Sequence, residues 1–191
     1  HDPAISSDKN ADFTAMTVMR QKPDETIKEI VHVVHERGMS SMAQKKMMVM
    51  LNSRFSPDLI ELEGNNFQRM LAQEMRELRA DMPIRIFMTT RTKKESLFMS
   101  LLLAFEQEKI KLPYGDERSR AYTHKLEQEL NRFGMQKSGK LESVGVHDDL
   151  AMSLALANWA SKEFKGSVTL LDDYMPGFDE WFAGESKTDS L

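Results

Sequence analysis

Two stretches rich in β-branched residues, 13–21 (FTAMTVMRQ) and 27–37 (IKEIVHVVHER), flank a turn at Lys22-Pro23-Asp24, and this arrangement predicts a β-hairpin. The pattern then changes period. Over residues 40–54, Met42, Met47, Met50 and Leu51 fall on one side and Lys45-Lys46 off it, which predicts a helix stopped by Pro57. Residues 58–63 (DLIELE) read as a short strand with Glu61 and Glu63 on one face and Leu62 on the other. A second amphipathic helix follows over 66–80, and a strand over 84–88 after Pro83. Residues 92–108 predict a long helix whose middle (LFMSLLLAF) is apolar nearly all round and is therefore expected to be buried.

Beyond it, 109–112 predicts a short edge strand, 118–132 a basic helix and the Gly-punctuated 135–146 a hairpin. Residues 147–162 predict a helix apolar on most faces (LAMSLALANWA). Hairpin, helix, strand, helix, strand, helix is the order of an α/β fold with a mixed sheet, an antiparallel meander followed by parallel crossover strands. The expected division is a domain over 1–171 and a tail over 172–191 that carries Tyr174, Phe178, Trp181 and Phe182 among acids. The fifteen methionines fill helix faces and are read as core.

Composition narrows the chemistry. The 191 residues include no cysteine, which removes disulfides, thiolate metal sites and cysteine nucleophiles. No apolar run reaches the roughly 18 residues of a membrane span, and a cytoplasmic setting without membrane association is expected. The net charge of −4 is uneven. Residues 172–191 hold six acids against Lys187 alone, so the body is close to neutral. Within it, Arg91, Lys93 and Lys94, then Arg118, Arg120, Lys137 and Lys140, stand in acid-poor stretches that suit a polyanion as well as solvent.

Three acidic clusters are candidates for chemistry: Asp2 with Asp12 just before the first strand, Glu63 at the end of DLIELE, and His147-Asp148-Asp149 before the last helix. Each has a plain alternative, as a solvated terminus, a strand-end charge, or a helix N-cap favoured by the macrodipole. Carboxylates at strand ends and at a helix start can converge on one edge of an α/β sheet. Such a set suits magnesium, which takes oxygen ligands and keeps several waters. His32 and His35, three apart on a strand, point to opposite faces and make no zinc pair.

The motifs DPA (2–4) with DFTAMTV (12–18), LIELEGNNFQRML (59–71), TKKESLFMSLLLAFEQEKIKLP (92–113) and HDDLAMSLALA (147–157) occur in the order and spacing of a known family. On them the chain resembles the C-terminal nuclease domain of the large terminase subunit, the DNA-packaging motor of tailed phages and herpesviruses. The resemblance implies an RNase H-like fold, with a mixed central sheet flanked by helices. It further implies a metal-dependent endonuclease that cuts concatemeric double-stranded viral DNA. The ligands of a two-metal Mg2+ or Mn2+ site would be Asp2, Glu63, Asp148 and Asp149, with Asp12 and His147 auxiliary and the seven bases named above on DNA. Glu63 is preferred to Glu61 because it directly precedes Gly64-Asn65-Asn66. The implied partners are the terminase small subunit, the portal and the motor's own ATPase domain, in the host cell cytoplasm. In the family's fold a central strand precedes the first acid, whereas only His1 precedes Asp2 in this sequence, and the sequence holds no G-x-x-x-x-G-K-[ST] loop. The alternatives are another RNase H-like nuclease, such as a Holliday-junction resolvase or a transposase-type enzyme, and a non-catalytic α/β module that binds DNA or a partner.

Overall fold

The computed structural model describes residues 13–64, 66–79, 81–135, 141–143 and 148–163. The hairpin forms as expected: β1 (Phe13–Gln21) pairs antiparallel with β2 (Lys28–Arg37), from Phe13 opposite Arg37 to Gln21 opposite Lys28. One irregularity matters for what each face carries. Val18 pairs with His32 but Met19 pairs with Ile30, so Val31 is an extra residue in β2. It shifts the alternation, and Ile30 and Val33 pack into one core while Val31 and Val34 pack into another.

Ser40 caps α1 (Ser41–Phe55) by accepting the Ala43 amide, and Ser56 ends it in the left-handed region at φ 42°. Next come β3 (Ile60–Glu63), α2 (Asn66–Leu78) and β4 (Ile84–Phe87). β3 and β4 run parallel with Glu63 opposite Phe87, as a strand–helix–strand crossover requires. Thr90 caps α3 (Arg91–Glu106), and β5 (Ile110–Lys111) joins β2 in parallel. An Asp116–Ser119 capping box opens α4 (Glu117–Leu130). The expected late hairpin is β6 (Phe133–Met135) against β7 (Leu141–Ser143), and α5 (Asp149–Glu163) closes the described chain.

Hydrogen bonding among the described strands runs in two main groups, β1–β2–β5 and β3–β4. α5 packs on both β1 and β3 and so spans the groups. Helices lie on the two sides of this sheet. On one side, Met47, Leu51 and Phe55 of α1 meet Val34, Met16 and Val18, while Leu71, Ala72 and Met75 of α2 meet Ile60, Leu62, Ile84 and Ile86. On the other, Leu97, Phe98 and Leu101 of α3 and Leu126 of α4 pack with Leu150, Ala151, Leu154 and Ala155 of α5. Burying a leucine such as Leu154, 1% exposed, stabilises by about 1.5–3 kcal/mol, which is why an almost wholly apolar α5 belongs here.

α3 departs from expectation. Its middle is not buried all round: Met99, Leu102 and Leu103 are about half exposed. The sheet and α5 cover one side of the helix only, and no described element lies over the other. The candidate lysines 137 and 140 and the tail 172–191 lie outside the described residues, and no described helix is long and apolar enough to cross a membrane.

Candidate active site

α5 fixes the geometry. Ser153 donates to the Thr17 hydroxyl at 3.0 Å, and Asn158 meets Lys28, which lies opposite Gln21. Going back along α5 therefore runs from the Gln21 end of β1 toward Phe13, and the helix starts, at Asp148 and Asp149, at the Phe13 end of the sheet.

The helix start is capped in an unusual way. The Asp148 carbonyl accepts the Met152 amide at 2.8 Å, which makes Asp148 the N-cap residue. The Ala151 amide, which an N-cap side chain commonly takes, goes instead to the Glu129 carboxylate of α4 at 3.0 Å. Asp148 is thereby released from capping, and its carboxylate accepts from the Lys94 ammonium at 2.7 Å. Glu129 is 3% exposed, and its Oε1 has no hydrogen-bond partner among the described residues. Burial pushes its carboxyl above the usual range, the Ala151 amide partly opposes this, and the negative charge of Asp149 adds to it.

Glu63 joins this neighbourhood through β4. It pairs with Phe87, over whose ring the Lys93 ammonium lies at 5.6 Å, and Lys93 adjoins the Lys94 that holds Asp148. The two acids of DLIELE differ in their commitments. Glu61 is locked by Arg85 in a two-pronged pair at 2.9 and 2.7 Å, with its side chain only 3% exposed. The Glu63 carboxylate makes no hydrogen bond or ion pair among the described residues. Gly64 sets the exit of the chain from β3: its amide donates to the Phe87 carbonyl at 2.7 Å, and a Cβ there would stand 2.8 Å from that oxygen and from the Met88 sulfur. Any larger residue would push Glu63 off its strand end.

Among the described residues no group of three or more His, Asp or Glu side chains is gathered to hold a metal ion. Asp2, Asp12 and His147 lie outside those residues. The donor chemistry fits a hard cation: Glu63, Asp148 and Asp149 offer oxygen only, and an ammonium ion already rests on Asp148. Of the candidate bases, Arg91, Lys93 and Lys94 cluster at the start of α3, where Arg91 pairs with Glu95 at 3.3 Å. Arg118 and Arg120 sit at the start of α4, about 17 and 14 Å along the helix from Glu129 at 1.5 Å per residue. Sequence reasoning missed Glu129 and the Lys94–Asp148 contact. Glu129 was signalled by its spacing, an acid three residues after the buried Leu126 at the edge of the inward face of α4.

The fold and this sheet-end site define an RNase H-like α/β domain. The chain belongs to the terminase RNase H-like domain family, which residues 1–159 match. Among solved structures it is similar to the large terminase nuclease from thermophilic phage G20c with bound cobalt, with 17% identity and a TM-score of 0.53 over 78% of this chain and 81% of that one. No curated protein matches the sequence.

Proposed function

We propose that this domain is the nuclease of a phage DNA-packaging motor, a divalent-metal-dependent endonuclease that cleaves concatemeric double-stranded DNA with little sequence preference. Asp2, Glu63, Asp148 and Asp149 are its metal ligands, with Asp12 and His147 in supporting roles. Two Mg2+ or Mn2+ ions held by these carboxylates would supply activation of water and stabilisation of the leaving oxygen in phosphodiester hydrolysis. The observation that carries this reading is the state of the acids at one end of the sheet. Asp148 is relieved of capping by Glu129 and holds a cation, Lys94, while Glu63 makes no pair among the described residues and its neighbour Glu61 does.

The chain's own residues then have distinct tasks. Glu129 holds the first turn of α5 in place, Lys94 neutralises Asp148 in the absence of metal, and Gly64 fixes the strand end under Glu63. Arg91, Lys93, Lys94, Arg118, Arg120, Lys137 and Lys140 supply phosphate contacts. Residues 1–171 form the nuclease domain and 172–191 an acidic, aromatic tail. The small subunit, the portal and the ATPase domain are the partners, and the host cytoplasm the setting. The cobalt bound by the G20c nuclease is in keeping with a divalent ion in such domains.

Nicking of supercoiled plasmid with Mg2+, Mn2+ or EDTA tests the proposal. Cleavage with either metal and none in EDTA is expected, with linear duplex cut as readily as a four-way junction. Cleavage in EDTA, or of junctions only, overturns it.

A further inference from the structure

The acids at the start of α5 are not the only charges at this end of the sheet. Phe13 opens β1 and lies opposite Arg37, the last residue of β2. One face of its ring stacks on His35, with centroids 4.4 Å apart and planes 6° from parallel. The Arg37 guanidinium lies 4.9 Å from the ring centroid and the Lys125 ammonium of α4 lies 4.3 Å from it. One phenyl ring thus gathers two cations from two different elements.

Among the described residues neither cation makes a salt bridge. The acids beside them in the chain are engaged elsewhere. Glu127 meets His124 at 3.2 Å, and Glu129 turns inward to the Ala151 amide. Glu36 precedes Arg37 on a strand and so projects from the opposite face. Two like charges gathered at one ring repel, and an anion set between them offsets that repulsion.

The same face of α4 extends the arrangement. Arg118, Tyr122, Lys125 and Glu129 follow one another at spacings of four, three and four, which places them on one side of the helix. Arg118 donates to the Tyr122 hydroxyl at 3.3 Å and lies over its ring at 5.7 Å. Charge along this side runs from Arg118 through Lys125 to the point where Glu129 meets the start of α5.

We infer that Arg37 and Lys125, brought together on Phe13, form a phosphate-binding pair that grips the backbone of a nucleic acid strand beside the acids of α5. The guanidinium suits two-pronged contact with phosphate oxygens, and the ammonium acts as a point charge. Nothing in the pair reads a base, so the contact is indifferent to sequence. The direction of the strand toward Asp148 and Asp149 rests on the nuclease reading, but the contact itself does not.

The test measures binding of a labelled short DNA duplex by fluorescence anisotropy in EDTA, across a range of salt concentrations, with inorganic phosphate as competitor. The variants are Arg37→Gln with Lys125→Gln, and, as a control at the opposite end of β2, Lys109→Gln with Lys111→Gln. The first pair should flatten the slope of log affinity against log salt by about two units, one for each phosphate that is no longer neutralised. The control should leave the slope unchanged, and unaltered circular dichroism and melting temperature show that both variants fold. Phe13→Leu, which keeps the apolar contact and removes the ring, should give an intermediate slope. An unchanged slope in the Arg37/Lys125 variant overturns the inference, as does a wild-type protein that fails to bind the duplex. Competition by millimolar phosphate alone, with the duplex no better a ligand, would also overturn it in favour of a small-anion site. Because binding is read without metal, a flattened slope together with absent cleavage would uphold the pair and remove the nuclease reading; the converse would do the reverse.

Discussion

Near its C-terminal end, α5 carries Asn158, fully buried, whose side-chain oxygen accepts from the Lys28 ammonium at 2.7 Å and whose amide donates to Ser100 at 3.0 Å. Lys28 is itself 7% exposed, and burial, with the charges of Lys162 and Lys109, lowers its pKa to about 8. Ten residues earlier, about 15 Å along the helix, lie Asp148 and Asp149, with Lys94, Glu63 and the Arg37–Lys125 pair in the same region. The far end of the helix therefore resolves a buried charge internally, with neutral hydrogen-bond partners and a shifted protonation equilibrium. The near end leaves several charges directed toward solvent, partly matched or unmatched. Unmatched charge costs stability, and its concentration at one place is what the proposed ion-binding role of that end would require.

The comparison is broken most severely at the acids. Glu63→Ala, or Asp148→Ala with Asp149→Ala, should bring metal-dependent plasmid nicking to background while the melting temperature holds or rises, since carboxylates crowded together repel when no metal is present. Retained cleavage in either variant would show that the near end is ordinary surface. Glu129→Ala should lower Mn2+ affinity, read by calorimetry, by about 10–100-fold through misplacement of Asp148 and Asp149. Glu129→Gln keeps an oxygen for the Ala151 amide and should recover most of it. Equal reductions in both variants would mean that the charge of Glu129 matters and its capping does not.

At the far end the sign is set by Lys28. Its folded-state pKa, about 8, lies below the unfolded value, so folding favours the neutral amine. Stability from this group is present in full above the unfolded pKa and is lost as pH falls through about 10.5 toward 8. Urea unfolding at pH 8 and pH 10 should show a gain on the order of 2 kcal/mol at the higher pH, relative to Lys28→Met, in which the gain disappears. A comparable effect belongs to His32, whose pKa burial lowers to about 4, helped by the charges of Arg54 and Arg118. Its neutral form is the folded one, so its contribution is intact above pH 6.5 and is lost as pH falls toward 4. His32→Phe should flatten the acid limb of a melting-temperature profile, and an unchanged limb would contradict the shift.

Much of the fold was legible because its signals are local. The hairpin turn, Pro57 and the change from β-branched runs to helical spacing mark elements that form where the sequence places them. That Glu63 ends a strand and Asp148 begins a helix was also legible, from their placement in their motifs. What escaped depends on partners far apart in sequence. That Arg85 would claim Glu61, that Glu129 would cap α5 and that Asn158 would receive Lys28 each require knowing which elements touch. The exposed stripe of α3 escaped for a related reason: an all-apolar helix states that it can be buried, and only the layers around it decide how many sides are covered.

The contacts of α5 also bear on how the chain acquires its structure. Ser153 reaches Thr17 and Asn158 reaches Lys28, so the helix that completes the sheet's apolar face closes loops of well over a hundred residues. Loop closure of that span is entropically slow. During synthesis β1 and β2 leave the ribosome long before α5 exists, and Ile30, Val33 and Met19 remain uncovered through most of translation. The hairpin must then wait as an open apolar surface with a free strand edge, the state in which chains most readily associate wrongly. A holding chaperone, or faster elongation that brings α5 sooner, would therefore raise the yield of folded domain.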